Sequence, residues 1–206
     1  MVAPLQLAPG VGLWREYFSR AQQQELVDTI LRLAQLAPLY RPLMPKSEKP
    51  FSVEETNFGA LGWLSDKNGY RYTPVHPVTA APWPDIPDAL LALWRAVACY
   101  PHPPQCCLIN LYRTGARMGA HQDRDEEELD APVISVSLGD TALFRFGGTT
   151  RKGPTRSVQL CSGDVVKFGG PARRMFHGID RLIPASSQLV PGGGRINLTL
   201  RRVTKP

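Results

Sequence analysis

RINLTLRRV, residues 195–203, decides how the second half of this chain is to be read. Successive side chains of a strand point to opposite faces, so Arg195, Asn197, Thr199 and Arg201 share one face and Ile196, Leu198 and Leu200 the other. CCLINLY, residues 106–112, repeats that period and groups Leu108, Asn110 and Tyr112. VISVSL (133–138), ALFRF (142–146), RSVQL (156–160) and DVVKF (164–168) lie between them, short runs of β-branched and aromatic residues divided by Gly, Pro and Asp turns. Six such runs in about 100 residues, with no helix-length crossover between them, predict antiparallel pairing in a jelly roll or small barrel-like sandwich.

The first half has a different texture. Ser19 followed by Gln22 is a capping-box pattern, and Leu26, Val27, Ile30, Leu31, Ala34 and Ala37 then recur at helical spacing up to Pro38. A second helix is predicted from about Asp88 to Tyr100, with Leu90, Leu91, Trp94, Val97 and Ala98 on one side and Pro101 ending it. The stretch between is irregular and proline-rich, with residues 51–56 and 70–73 short enough and extended enough to pair as strands. Proline reaches 20 of 206 residues, about twice the usual share of about 5%. At 43% hydrophobic and 20% charged the chain has the composition of one globular domain, neither disordered nor membrane-embedded.

The net charge of +6 and pI near 9.4 suit a polyanionic partner without requiring one. Cys99, Cys106, Cys107 and Cys161 form no C-x-x-C pair, and no secretory signal precedes them; reduced thiols in the cytoplasm are expected, and zinc through them is not. No segment is long and apolar enough for a membrane span, and no exposed apolar stripe is evident, so a monomer is expected.

The polar face of residues 195–201 has two readings. It is the wet side of a half-exposed strand, or it meets the amide and phenol of Asn110 and Tyr112 inside the sandwich around a small anion, for which arginine is the residue that grips a carboxylate in two places. A second constellation favours the site. His121 and Asp123 form an H-x-D pair whose two-residue spacing turns both side chains to one side of an extended segment. His177, in RRMFHGI after the run DVVKF, is the natural third ligand among four histidines. Two imidazoles and a carboxylate form the facial triad of non-haem ferrous oxygenases, with three positions left for a bidentate cosubstrate and oxygen.

These residues resemble a known family. CLINLYRTGARMGAHQDRDE (107–126), APVISVSLGD (131–140), FRFGG (144–148), SGDVVKFGG (162–170), FHGI (176–179) and RINLTLR (195–201) look like the AlkB family of iron- and 2-oxoglutarate-dependent dioxygenases, close to its bacterial nucleic-acid demethylases. GALGWLSDKNGYRYTP (59–74) and APWPDIP (81–87) extend the likeness upstream, so that it covers roughly residues 50–203.

The resemblance implies an α+β, mainly β fold: a double-stranded β-helix (jelly-roll) core over residues 106–206, with residues 1–105 supplying N-terminal helices and a nucleotide-recognition lid packed on it as one structural domain. It implies Fe(II) on His121, Asp123 and His177, with 2-oxoglutarate and O2 as cosubstrates. Arg195 would pair with the distal carboxylate of 2-oxoglutarate, and Asn110, Tyr112, Asn197, Thr199 and Arg201 would complete that pocket. Trp63 would stack on the target base, Asp125 would accept from its exocyclic amine, and Tyr70, Tyr72 and Arg151 would hold the nucleotide and its phosphates. The implied partner is alkylated DNA, single-stranded or duplex, or RNA, and the implied activity is oxidative removal of methyl groups from bases such as 1-methyladenine and 3-methylcytosine. A ring-nitrogen methyl makes the base cationic, which an aromatic face and a carboxylate both favour.

Each substrate residue also has a plainer reading. Trp63 and Tyr70, beside glycines, suit loop anchors, Asp125 belongs to the acidic turn DRDEEELD, and Arg173 and Arg174 are either phosphate contacts or surface charge. Glu54 and Glu55, in FSVEETN, stand where the bacterial prototype has small or apolar residues; two carboxylates on a lid would repel a phosphate backbone and alter the substrate range. The alternatives to base repair are action on a protein or lipid methyl group, and a non-catalytic module that binds alkylated DNA.

Overall fold

The computed structural model describes residues 3–206. Among the described residues thirteen strands and two α-helices follow one another as β1 (Leu5–Ala8), β2 (Val11–Trp14), α1 (Arg20–Leu33), β3 (Glu54–Phe58), β4 (Gly62–Asp66), β5 (Gly69–Thr73), α2 (Asp88–Val97), β6 (Cys106–Tyr112), β7 (Met118–His121), β8 (Val133–Gly139), β9 (Thr141–Gly147), β10 (Thr155–Leu160), β11 (Val165–Phe168), β12 (His177–Ile183) and β13 (Arg195–Arg201). All six predicted strands form, and every pairing is antiparallel.

A seven-stranded sheet of order β1-β2-β11-β8-β13-β6-β3 faces a four-stranded sheet of order β10-β9-β12-β7, and β4 and β5 form a separate hairpin. The outer face of the large sheet packs Ile109, Leu111, Ile134, Val136, Ile196, Leu198 and Leu200 against Leu26, Val27 and Ile30 of α1 and Leu90, Leu93, Trp94 and Val97 of α2. Between the sheets, Val133, Val166 and Phe168 meet Phe144, Phe146 and Ile179. β13 is therefore buried on both faces along its whole length. That removes the half-exposed reading of its polar side, because water has no access to Arg195 or Thr199 from outside the sandwich.

Local chemistry explains where the elements stop. The capping box forms as expected, with Gln22 N–H donating to Ser19 Oγ and Ser19 N–H to Gln22 Oε1. α1 ends at Leu33 rather than running on to Pro38: its last turns tighten through Gln35 N–H to Arg32 O and Leu36 N–H to Leu33 O, and Thr56 Oγ1 takes up the Ala37 carbonyl at 2.8 Å. α2 stops at Val97, short of Tyr100, because Cys99 turns into the left-handed region at φ 53°.

Residues 51–56 and 70–73 do contribute strands, but not to each other. β3 joins the edge of the large sheet beside β6, whereas β5 pairs with β4. Four strands unmarked in the sequence reading complete the sheets: the hairpin β1–β2 continues the large sheet beyond β11, β7 lines the small one, and β12 joins β7 to β9. The segment before residue 106 thus supplies three strands of the large sheet as well as the covering hairpin.

Candidate active site

β7 and β12 lie side by side with His121 directly opposite His177 in the register. Gly178 permits the approach, since a Cβ there would sit 2.5 Å from the Met118 carbonyl oxygen. The imidazole centroids are 4.5 Å apart, and Asp123, two residues past the end of β7, completes the group. Its Oδ1 is 3.7 Å from His121 Nε2 and its Oδ2 4.0 Å from His177 Nε2, and one ligand atom from each residue lies within 4.8 Å of the other two.

The rings are held in place from behind. His121 Nδ1 lies 2.9 Å from Gly119 O and His177 Nδ1 3.2 Å from Met175 O, contacts that put the proton on Nδ1 and leave both Nε2 lone pairs for a metal. Burial, with the neighbouring His121, pushes His177 down to about 4, so the imidazole is neutral at physiological pH, the form that ligates. Burial alone would raise the Asp123 carboxyl; Arg201 first, then the two histidines and Arg173, outweigh it and keep the group an anion well below the usual carboxylate range.

Arg201 Nη2 is 3.1 Å from Asp123 Oδ1, and Glu126 extends the cluster. Its Oε2 is 3.0 Å from Arg173 Nη2, its Oε1 3.5 Å from Arg201 Nε, and Tyr72 Oη donates to Oε1 at 2.5 Å. Arg173, which the sequence left between phosphate contact and surface charge, is neither: it is 4% exposed and also donates to Ala131 O and Asp123 O. Glu126 was not marked in the sequence, because nothing in DRDEEELD separates it from its exposed neighbours.

A cavity of about 960 Å³ opens over the cluster, lined by His121, Asp123 and His177 and by Asn110, Tyr112, Arg195, Asn197, Thr199 and Arg201. Arg195 is 1% exposed, its guanidinium 5.3 Å from the centre of the Tyr112 ring. Its Nη2 donates to Ser137 Oγ (2.9 Å) and Asn197 Oδ1 (2.6 Å), while Nε and Nη1 have no partner. Asn110 Oδ1 and Arg201 Nη1 are also buried and unpartnered. Asn197 is fixed by Ser135 Oγ, which donates to its Oδ1, and by its own Nδ2, which donates to Thr199 Oγ1, each at 2.8 Å. Ser135 and Ser137 were missed, although their period of two within VISVSL already put them on a common face.

A buried guanidinium with two idle donors and no carboxylate partner among the described residues is costly unless an anion joins it. The same cavity therefore offers three convergent ligand atoms for a divalent cation and a binding place for a carboxylate, which fits a metal chelated by a keto acid.

The mouth of the cavity carries the substrate candidates. Trp63 on β4 donates from Nε1 to Asp125 Oδ2 at 2.9 Å and stacks on Tyr70 of β5, with centroids 5.5 Å apart and 18° between planes. Arg151 lines the same cavity, its guanidinium 5.3 Å from the Phe176 ring centre. Arg117, Arg124 and Lys49 also line it and were not singled out in the sequence. Tyr72 does not line the cavity; its hydroxyl is spent on Glu126, behind the metal cluster. Glu55 lies on the large sheet rather than on the lid hairpin, buried and facing the cavity, so it does not meet a phosphate backbone as the sequence reading expected. Glu54 sits 3.8 Å from Arg41.

A jelly roll holding two histidines and an aspartate beside a buried arginine with unpartnered donors is the arrangement of non-haem iron oxygenases that use a keto acid. The sequence profile of the 2OG-Fe(II) oxygenase superfamily matches residues 10–201. The chain is 55% identical over 201 residues to the alpha-ketoglutarate-dependent dioxygenase AlkB homolog of Caulobacter vibrioides, covering 97% of this chain and 90% of that protein. It is 39% identical over 203 residues to the alpha-ketoglutarate-dependent dioxygenase AlkB of Escherichia coli, covering 97% and 93%. The solved structure of OsALKBH1 superposes with a TM-score of 0.81 at 28% identity, covering 97% of this chain and 99% of that one. The chain belongs to the AlkB family of 2OG-Fe(II) oxygenases, and Fe(II), 2-oxoglutarate and O2 are its cofactor and cosubstrates.

Proposed function

We propose that this enzyme removes methyl groups oxidatively from N-alkylated bases such as 1-methyladenine and 3-methylcytosine in DNA, with His121, Asp123 and His177 as the iron ligands. The observation that carries the reading is the meeting, in one cavity, of that triad, an unsatisfied buried Arg195 and the Trp63–Asp125 pair at the mouth. Bound iron, with 2-oxoglutarate and oxygen, supplies the oxidation of a methyl C–H to an alcohol, the keto acid leaving as succinate and carbon dioxide.

The chain's own groups position the partners. Arg195 takes the distal carboxylate through its two idle N–H donors, and Asn110, Tyr112, Asn197, Thr199 and Arg201 wall that pocket. Trp63, backed on one face by Tyr70 and tethered by Asp125, offers its other face to a base drawn out of the stack. The Asp125 carboxylate and the indole both favour a cationic methylated base over a neutral one. Arg151, with Arg117, Arg124 and Lys49 around the mouth, holds the phosphates. Tyr72 acts indirectly, by fixing Glu126 and through it Arg201. The hydroxymethyl product on a ring nitrogen expels formaldehyde without a protein nucleophile, which regenerates the base.

Among the described residues no helix is long and apolar enough to cross a membrane. The four cysteines are free, and the exposed large hydrophobics, Leu5, Leu36 and Val78 among them, are scattered along the chain. Both observations support a monomer acting in the cytoplasm.

The test is 2-oxoglutarate-dependent formaldehyde release from short DNA and RNA strands carrying one 1-methyladenine. His121→Ala and Asp123→Ala are expected to abolish release from either strand while circular dichroism shows the fold intact. Full turnover in either variant would overturn the iron assignment.

A further inference from the structure

Glu55 is the one acid of the cavity wall that the reaction does not use. Its carboxyl is fully buried, lines the cavity and has no hydrogen-bond partner on Oε2. The register places it in a continuous cross-strand row: Tyr40 is bridged to Glu55, Glu55 is opposite Asn110, Asn110 opposite Asn197, and Asn197 opposite Ser137. Directly opposed side chains lie on the same face of a sheet, so this row carries Glu55 on the cavity side next to Asn110 and ends on the two groups that hold Arg195. Tyr40 Oη, Glu55 Oε2 and Asn110 Oδ1, three neighbours of the row, are all buried without partners.

We propose that Glu55 sets the charge of the 2-oxoglutarate pocket: its carboxyl admits the keto acid while protonated and, once ionised, competes with it as an internal anion. The proposal rests on the assignment of Arg195, Asn110 and Arg201 to that pocket. Burial raises Glu55 to about 8, with Arg201 opposing the rise, so the switch falls between neutral and mildly alkaline pH.

The groups around it do not titrate there. Burial raises Tyr112 on β6 to about 12, Cys106 on the same strand to about 11, and Tyr40 further still. On β4, Asp66 is held low by its hydrogen bonds from Arg71. Arg201 on β13 is the cation whose field acts on Glu55, opposing burial. 2-Oxoglutarate is a dianion at neutral and alkaline pH, so a pH dependence of its affinity reports the protein.

The experiment is calorimetric titration of 2-oxoglutarate into anaerobic Fe(II)-loaded protein, without nucleic acid, from pH 6.5 to 9.5. The wild type is expected to lose about tenfold in affinity between pH 7 and 9.5, an interior charge acting at short range. Glu55→Gln, which keeps the shape and remains neutral, should match the wild type at pH 7 and change less than about twofold across the range; Glu55→Met should be equally flat. Parallel profiles for wild type and Glu55→Gln, or a flat wild-type profile, overturn the proposal while leaving the pocket assignment standing. An Arg195→Met protein that binds 2-oxoglutarate as well as the wild type overturns the pocket assignment itself.

Discussion

Replacing Arg195 by methionine is expected to make the ligand-free protein more stable while removing its hold on 2-oxoglutarate. The guanidinium is 1% exposed, has no carboxylate partner and leaves Nε and Nη1 unused. Its remaining bonds, from Nη2 to Ser137 and Asn197, are charge-assisted and together worth about 3–6 kcal/mol by the usual range for such bonds. Against them stands the desolvation of an isolated cation, whose effective penalty is several kcal/mol even after relaxation.

Methionine fills a similar volume with apolar atoms in a cavity wall already carrying Tyr112 and Phe144. Ser137 keeps its freedom to donate, and Asn197 Oδ1 still accepts from Ser135, so the substitution orphans little. The balance favours the variant by about 1–4 kcal/mol, the range seen when buried ionic groups give way to well-packed apolar ones. For a chain of this length that is a rise of about 2–16 °C in Tm.

Thermal unfolding of metal-free protein measures this term. A second scan, with Fe(II) and 2-oxoglutarate under nitrogen, measures the other: at a hundredfold excess over Kd the ligand adds about 2.7 kcal/mol to the wild type, and nothing comparable to the variant. A lower Tm for metal-free Arg195→Met would show that the arginine is a net structural cation, and the reasoning from its idle donors would be wrong.

Other perturbations separate the remaining parts of the site. Glu126→Gln removes the anion shared by Arg173, Arg201 and Tyr72, leaving buried guanidiniums short of a partner; a loss of about 3–5 kcal/mol is expected, read as a fall in Tm, and an unchanged Tm would contradict the network. Trp63→Ala should raise KM for a methylated oligonucleotide by about 5- to 150-fold, the worth of one stacked base, with 2-oxoglutarate affinity retained on calorimetry; a proportional loss of both would place the tryptophan in the fold rather than at the base. Glu55 gives stability a pH dependence of definite sign. The native state keeps its proton up to about 8 whereas the unfolded carboxyl releases it near 4.5, so stability falls with rising pH across that window by about 1.4 kcal/mol per unit at most. Glu55→Gln should therefore gain stability over the wild type between pH 5 and 8 and hold a constant lead above it, in urea titrations at fixed pH.

Six strands of the core and the three residues of the proposed metal site could be read from the sequence because each has a local signature. Alternation marked β6 and β13, the H-x-D spacing marked His121 and Asp123, and the turn after DVVKF marked His177. The strands β7 and β12 have no such mark: MGAH is four residues with two of the smallest side chains, and HGIDRLI mixes charge with apolar groups because its neighbours, not its own pattern, bury it. Their pairing, which brings the two histidines together, is a contact between distant segments that periodicity does not encode. Glu55 was misplaced for a related reason. A carboxylate in an extended segment is ordinarily solvated, and only the register beside Asn110 shows that this one faces inward.

Burial keeps that acid protonated against the pull of the interior's positive charge. Three buried guanidiniums, Arg173, Arg195 and Arg201, face two buried carboxylates, Asp123 and Glu126, leaving an excess of one positive charge centred on the unpaired Arg195. A ferrous ion and a dianionic keto acid together leave that excess as it was, whereas either alone shifts it by two units in a medium of low dielectric, which couples their binding. An ionised Glu55 would cancel the excess from within, taking for the protein's own side chain the positive field that Arg195 and Arg201 hold for the keto acid. The site is thus kept one charge short of neutrality by a proton on Glu55, and titrating that proton tests the electrostatic reading of the whole pocket.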